Sequence, residues 1–245
     1  MPLRFERRRV VVIEHQPECP LDRFQTWLGG QTMDGTALGI VRPYAGDPIP
    51  ERAEHGLIVL GGQMSAYDDG VAPWLPVVRR LLATAVAERV PTLGICLGAQ
   101  LLAVACGGRV DVAAPPGRES GVVDARHRPE AAADELLAGL PDPFPGPSMH
   151  ADAVVELPAG ATWLASSAMY PHQAFRVGRA AWGVQFHPEV SLPTFRSWAE
   201  SHPEVDVAAV TAEFADRDRE VAVAGRRLAE RFAAIVVERS TSGAL

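Results

Sequence analysis

An α/β fold, an open and mostly parallel sheet with helices on both faces, is predicted by three observations. Short apolar, β-branched runs alternate with segments whose apolar residues recur at helical spacing. The strand-like runs in the first half are apolar throughout, as strands covered on both faces are. Glycine pairs at 29–30, 61–62 and 107–108 close three of these segments.

The elements follow in order. Val10–Ile13 is a buried strand, preceded by Arg7-Arg8-Arg9, which reads as a solvated strand entrance rather than a binding patch. Leu21–Leu28 is helix-like and stops at Gly29-Gly30. Leu38–Val41 and Leu57–Leu60 are further strands, the latter ended by Gly61-Gly62. Trp74–Arg89 places Leu75, Val78, Leu82 and Val86 on one helical face. Thr92–Ile95 is a strand and Leu97–Ala105 a helix closed by Gly107-Gly108. Between 109 and 186 short strands are expected at Val122–Asp124, Ala153–Glu156, Trp163–Ser166, Gln173–Val177 and Ala181–Phe186, with Pro-rich Leu140–Pro147 as a loop. Residues 206–238 carry Val207, Val210, Phe214, Val221, Leu228, Phe232 and Ile235 at helical spacing, one long helix or two in succession. The expected organisation is a domain over 1–205 and a helical extension over 206–245 packed on it. Packing on the same domain is favoured over an oligomer interface, and the oligomeric state stays open.

Composition narrows the function classes. With 245 residues, 47% apolar and 22% charged, the chain has enough apolar content for a packed core. A net charge of −7 disfavours a nucleic-acid partner. All 23 basic residues are arginine, so no catalytic lysine is available. Three cysteines, Cys19, Cys96 and Cys106, are too few and too odd in number for a disulfide framework. Residues 1–7 lack the apolar core of a signal peptide, and no apolar stretch reaches membrane-spanning length. A soluble, cytoplasmic protein with no membrane partner is expected.

Cys96 stands where a buried strand turns into a helix, between Gly94 and Gly98. A sharp strand–nucleophile–helix turn strains the backbone at its apex and needs neighbours without side chains. The helix that follows points its free N–H groups at the sulfur and favours the thiolate. A cysteine after an apolar run is otherwise core; the glycine pattern decides for a nucleophile. Cys106, inside Leu-Leu-Ala-Val-Ala-Cys, reads as core, and Cys19, in a loop, as incidental. His187 and Glu189 lie two apart after a strand-like run. In an extended chain their side chains would face one way, with Pro188 stiffening the link. The carboxylate would then fix the imidazole tautomer and leave the other ring nitrogen for a thiol. Gly61-Gly62, at a strand end, with the N–H of Leu97 just after the nucleophile, supplies donors for an oxyanion hole. The parts are those of thiol-based acyl transfer.

Gly-Ile-Cys-Leu-Gly-Ala-Gln (94–100) with Gly-Val-Gln-Phe-His-Pro-Glu-Val (183–190) resembles the class I, triad-type glutamine amidotransferase family, over about residues 8–200. The closest likeness is to free-standing members similar to the amidotransferase domain of GMP synthase. The resemblance implies a flavodoxin-like three-layer fold and a triad of Cys96, His187 and Glu189. It implies an oxyanion hole from Gly62 and Leu97. It implies glutamine-binding roles for Met64, Gln100 and the segment Met149, His150, Ala151, Asp152. Ala151 stands where many relatives have glycine. The implied reaction is hydrolysis of the glutamine side-chain amide through a γ-glutamyl thioester, with no metal or organic cofactor.

No synthase domain is expected beyond residue 245 and the sequence holds no Walker-type loop, so the expected ammonia acceptor is a separate synthase subunit. A free-standing hydrolase of γ-glutamyl amides or peptides is the alternative. A non-catalytic binding protein on the same fold is disfavoured by the intact Cys96, His187 and Glu189.

Overall fold

The computed structural model describes residues 8–29 and 36–242, with the Ser242 side chain excepted. The readings that fall on Arg7, residues 1–7 as a whole, Gly30 and 243–245 lie outside the described residues. In chain order the elements are β1 (Arg9–Ile13), α1 (Arg23–Trp27), β2 (Ala37–Val41), β3 (Gly56–Val59), α2 (Leu75–Ala87), β4 (Thr92–Ile95) and α3 (Leu97–Ala105). Then come β5 (Arg109–Asp111), β6 (Glu119–His127), β7 (Phe144–His150), β8 (Ala153–Glu156), β9 (Thr162–Ser166), β10 (Ala174–Val177) and β11 (Ala181–Val184). Two helices close the chain, α4 (Leu192–Glu200) and the unbroken α5 (Val207–Ser242). Among these helices none is long and apolar enough to cross a membrane.

Nine strands form one sheet in the order β2-β1-β3-β4-β11-β10-β9-β6-β7, and β5 and β8 form a separate ribbon. β2, β1, β3, β4 and β11 pair in parallel, and from β10 outward the pairs are antiparallel. The strand period of two divides the core into layers. Val10, Val12, Ile58, Leu60, Leu93, Ile95, Trp182 and Val184 join a core with residues of α1 and α5. Val11, Ile13, Leu57 and Val59 face the other way, into a core with α2 and α3. Continuous apolar strands therefore mean two covered faces, the three-layer arrangement expected.

The structure corrects the sequence at three places. The Pro-rich Leu140–Pro147 segment is not all loop, because Phe144–His150 is a strand paired with β6. It is the last strand of the sheet order, where prolines remove no needed ladder donor. α4 has no counterpart in the sequence reading; its Pro193 stands near the first helical position, which suits a helix start. Its buried Phe195, Trp198 and Ala199, at i, i+3, i+4, were the available signal. Cys106 is only partly buried, at the C-cap of α3, where it packs against the edge of the core under α2 and α3.

Candidate active site

The parallel register builds the site. β4 lies between β3 and β11, with Val59 beside Gly94 and Val184 beside Ile95. The chain just past each strand therefore emerges on the same sheet edge, where open α/β sheets bind ligands. Cys96 follows β4, Gly61-Gly62 follows β3, and His187 follows β11.

Cys96 has φ 51° and ψ −106°, a conformation L-residues rarely adopt. Its N–H donates to Val184 O at 2.8 Å, and its carbonyl accepts from Gln100 N at 3.0 Å. The flanking glycines make this turn possible. A β-carbon at Gly98 would lie 2.0 Å from Val59 O, and one at Gly94 would lie 2.5 Å from Gly98 O. α3 can thus pack directly onto the backbone of β3, and the sulfur is lifted above the edge.

His187 and Glu189 meet as expected but not in an extended chain. They occupy a turn beyond β11, closed by Val190 N donating to His187 O at 3.4 Å. The ring Nδ1 lies 2.8 Å from Glu189 Oε1, so Nε2 is the atom left to face the Cys96 sulfur. Burial pushes the His187 pKa down. The Glu189 carboxylate and the Cys96 sulfur, both beside the ring, outweigh burial and raise it to about 10. The turn is anchored from several directions. His187 N donates to Pro147 O at 2.7 Å, Arg23 N donates to Glu189 O at 3.1 Å, and the Trp198 ring lies 4.5 Å from the His187 ring, centroid to centroid. Ser191 donates from both its backbone and its hydroxyl to Asp22 Oδ2, each at 2.8 Å.

A cavity of about 130 Å³ opens over the sulfur. Of the residues named from the sequence, Cys96, His187, Gly62, Met64, Gln100, Met149, His150, Ala151 and Asp152 all line it. Glu189 stands behind His187 and Leu97 is the first residue of α3; neither is among the lining residues. Gln100 and His150 face inward with much of their polar capacity spent. Gln100 Nε2 donates to Asp152 O at 2.9 Å and to Gln185 Oε1 at 3.3 Å. His150 lies 3.0 Å from both Asp152 O and Glu119 Oε2. They brace the 149–152 wall.

Sequence reasoning missed several residues here. Cys19 is not incidental: it is buried and lines the same cavity as Cys96. Burial first, then the neighbouring Cys96, Glu189, Glu18 and Glu14, push its thiol pKa up, which keeps it protonated. Arg118 and His202 also line the cavity, and Arg118 Nε donates to Glu204 Oε1 at 2.7 Å. Gln185 Nε2 points at Cys96 Sγ from 3.6 Å. None of these follows the motifs' own spacing except Gln185, which lies inside the second. Beneath the Gly61-Gly62 strand end, His15 accepts from Trp74 Nε1 at 3.0 Å, and burial lowers its pKa to about 4. Among the described residues no group of three or more His, Cys, Asp or Glu is placed to hold a metal ion.

An open α/β sheet with a strained cysteine beyond one strand and a buried His–Glu pair beyond its parallel neighbour defines a thiol acyl-transfer class. The family model described as glutamine amidotransferase class-I matches residues 37–199, and the chain belongs to that family. It is 36% identical over 145 residues to a glutamine-hydrolysing GMP synthase of Staphylococcus carnosus (strain TM300), covering 59% of this chain and 26% of that protein. The chain thus matches about a quarter of the length of that relative. A solved glutamine amidotransferase from Methylobacillus flagellatus superimposes with TM-score 0.78 at 30% identity, covering 95% of this chain and 94% of the other. One from Thermotoga maritima gives TM-score 0.80 at 24% identity, covering 93% and 99%, a likeness of fold.

Proposed function

We propose that the chain hydrolyses the side-chain amide of glutamine through a thioester on Cys96 and passes the ammonia to a separate synthase polypeptide. The observation that carries this reading is the strained Cys96 in one cavity with the His187–Glu189 pair. In the proposed reaction the Cys96 thiolate attacks the amide carbon. The backbone N–H groups of Gly62 and Leu97 stabilise the oxyanion. The proton on His187 goes to the leaving nitrogen, so the C–N bond breaks and ammonia departs. His187 then takes a proton from water, which attacks the thioester; glutamate leaves and the thiol is restored. Glu189 holds the ring and its charge throughout.

The cavity chemistry supports an amino-acid head group. Arg118 is the arginine of the lining and suits an α-carboxylate, and the Asp152 wall suits an α-ammonium. The acceptor polypeptide is proposed from the likeness to one part of a glutamine-hydrolysing GMP synthase.

The test is ammonia release from glutamine and from a panel of γ-glutamyl amides, alone and with candidate synthases. Cys96→Ala is expected to abolish release, by about 10³-fold or more. Release that survives Cys96→Ala sinks the mechanism. Turnover of γ-glutamyl conjugates with none of glutamine moves the substrate to the larger class.

A further inference from the structure

The His187–Glu189 turn is gripped by a helix that begins beyond the residues matched by the family model. α5 passes the turn with Gly225 facing Pro188, between the two functional side chains. A β-carbon at 225 would lie 2.1 Å from Pro188 O and 2.9 Å from the Trp27 ring. Glycine inside a helix costs about 1 kcal/mol relative to alanine, so helix propensity does not explain it. The close approach does. α5 has little freedom to step back, because Val221, Ala224 and Leu228, within a turn either side of Gly225, are buried in the cores. A second tie runs through Asp218, also on α5. It pairs with Arg23, whose backbone N–H donates to Glu189 O at 3.1 Å.

We propose that α5 is part of the catalytic apparatus and that Gly225 is a positioning residue, setting where Pro188, and with it the His187 ring and the Glu189 carboxylate, stands relative to Cys96. The inference rests on the reading of His187 and Glu189 as partners of a Cys96 nucleophile. Cβ contacts under 3.0 Å are essentially never tolerated, so a methyl at 225 must drive Pro188 O away. The displacement is about 1 Å, and misplacement on that scale costs about 10²-fold in rate. The proline ring fixes its own φ, so a shift of its carbonyl passes to its neighbours rather than being absorbed. The cavity walls at Gly62 and Gln100 belong to other elements and stay in place; Met149, on β7, shares a core with Phe214 and Val221 of α5.

The experiment compares Gly225→Ala, Asp218→Ala and Phe232→Leu in the full chain. Cys96 alkylation by iodoacetamide is followed against pH by mass spectrometry, beside thermal melting. Alkylation reads the Cys96–His187 pair without glutamine or a partner protein, so a failed glutaminase assay leaves this test intact. Gly225→Ala is expected to slow Cys96 alkylation at pH 7 by about 10-fold and move the profile to higher pH. Where ammonia release is measurable, kcat falls by about 10²-fold and KM stays within about twofold. Phe232→Leu, two turns along α5, is expected to lower the melting temperature and leave the profile in place. Asp218→Ala is expected to shift the profile in the same direction as Gly225→Ala, by less, and it decides the matter if Gly225→Ala does not fold. An unchanged profile in a folded Gly225→Ala chain overturns the proposal. So does an unchanged profile in Asp218→Ala if Gly225→Ala does not fold, or an equal shift in Phe232→Leu.

Discussion

Cys96 and the His187–Glu189 turn stand beyond neighbouring parallel strands, yet they are held by different means. The Cys96 turn is mostly local: Gly94 and Gly98 lie two residues either side and make its strained φ attainable. The His187–Glu189 turn has Pro188, the 2.8 Å bond between its two side chains and one weak closing hydrogen bond, but no glycine of its own. It is held by Pro147, Arg23, Asp22, Trp198 and Gly225, drawn from four other parts of the chain. A buried histidine on each side shows what company does to a proton. His15 and His187 are both buried; His15 has no carboxylate against it, and its pKa falls to about 4. His187 has Glu189 and the Cys96 sulfur, and its pKa rises to about 10 despite burial. Burial alone expels the proton; burial beside negative charge keeps it.

The largest expected break is on the local side. Gly98→Ala sets a methyl against Val59 O, a backbone atom of the central sheet with nowhere to move. Urea denaturation should show a loss of about 4 kcal/mol or no folded protein. A loss under about 1 kcal/mol would mean that the glycines do not make the turn.

The histidines should part the pH dependence of stability in opposite directions. The folded His15 pKa lies below its unfolded value near 6.5, so the unfolded chain binds the extra proton. Its contribution is present above pH 6.5 and is lost towards pH 4, about 3 kcal/mol in all. For His187 the folded pKa is the higher one, so its contribution is present below pH 6.5 and is lost as pH rises through about 10. Melting curves from pH 4 to 10 should show both arms. His15→Gln flattens only the acid arm and Glu189→Gln only the alkaline one. Identical arms in the two variants would refute the contrast.

The smallest effect is at a single anchor of the distant side. Asp22 has φ 43° and accepts two hydrogen bonds from Ser191. Asp22→Ala is expected to cost about 2 kcal/mol in urea, because a half-buried acceptor of two hydrogen bonds is lost at a backbone angle alanine tolerates poorly. A cost within error of zero would show that the turn is held without it.

Much of the fold could be read from the chain because strand and helix periods are local properties. Val10–Ile13, Thr92–Ile95 and Leu97–Ala105 were recognisable from apolar runs and their glycine stops. Phe144–His150 was not, because its prolines argue against a strand until its place at the edge of the sheet is known. Cys19 looked isolated, since its nearest neighbours in sequence carry no base. Its place beside Cys96 comes from the way the loop after β1 folds over the cavity.

The sequence by itself determined the candidate nucleophile, its strained turn and the class of chemistry, because those depend on residues within a few positions of one another. Only the tertiary structure decided how the proton carrier is held, which further residues wall the cavity, and that the last helix reaches the turn. The physical reason is range. A glycine beside a cysteine acts through its own backbone. A glycine such as Gly225 acts only on whatever the fold brings against it.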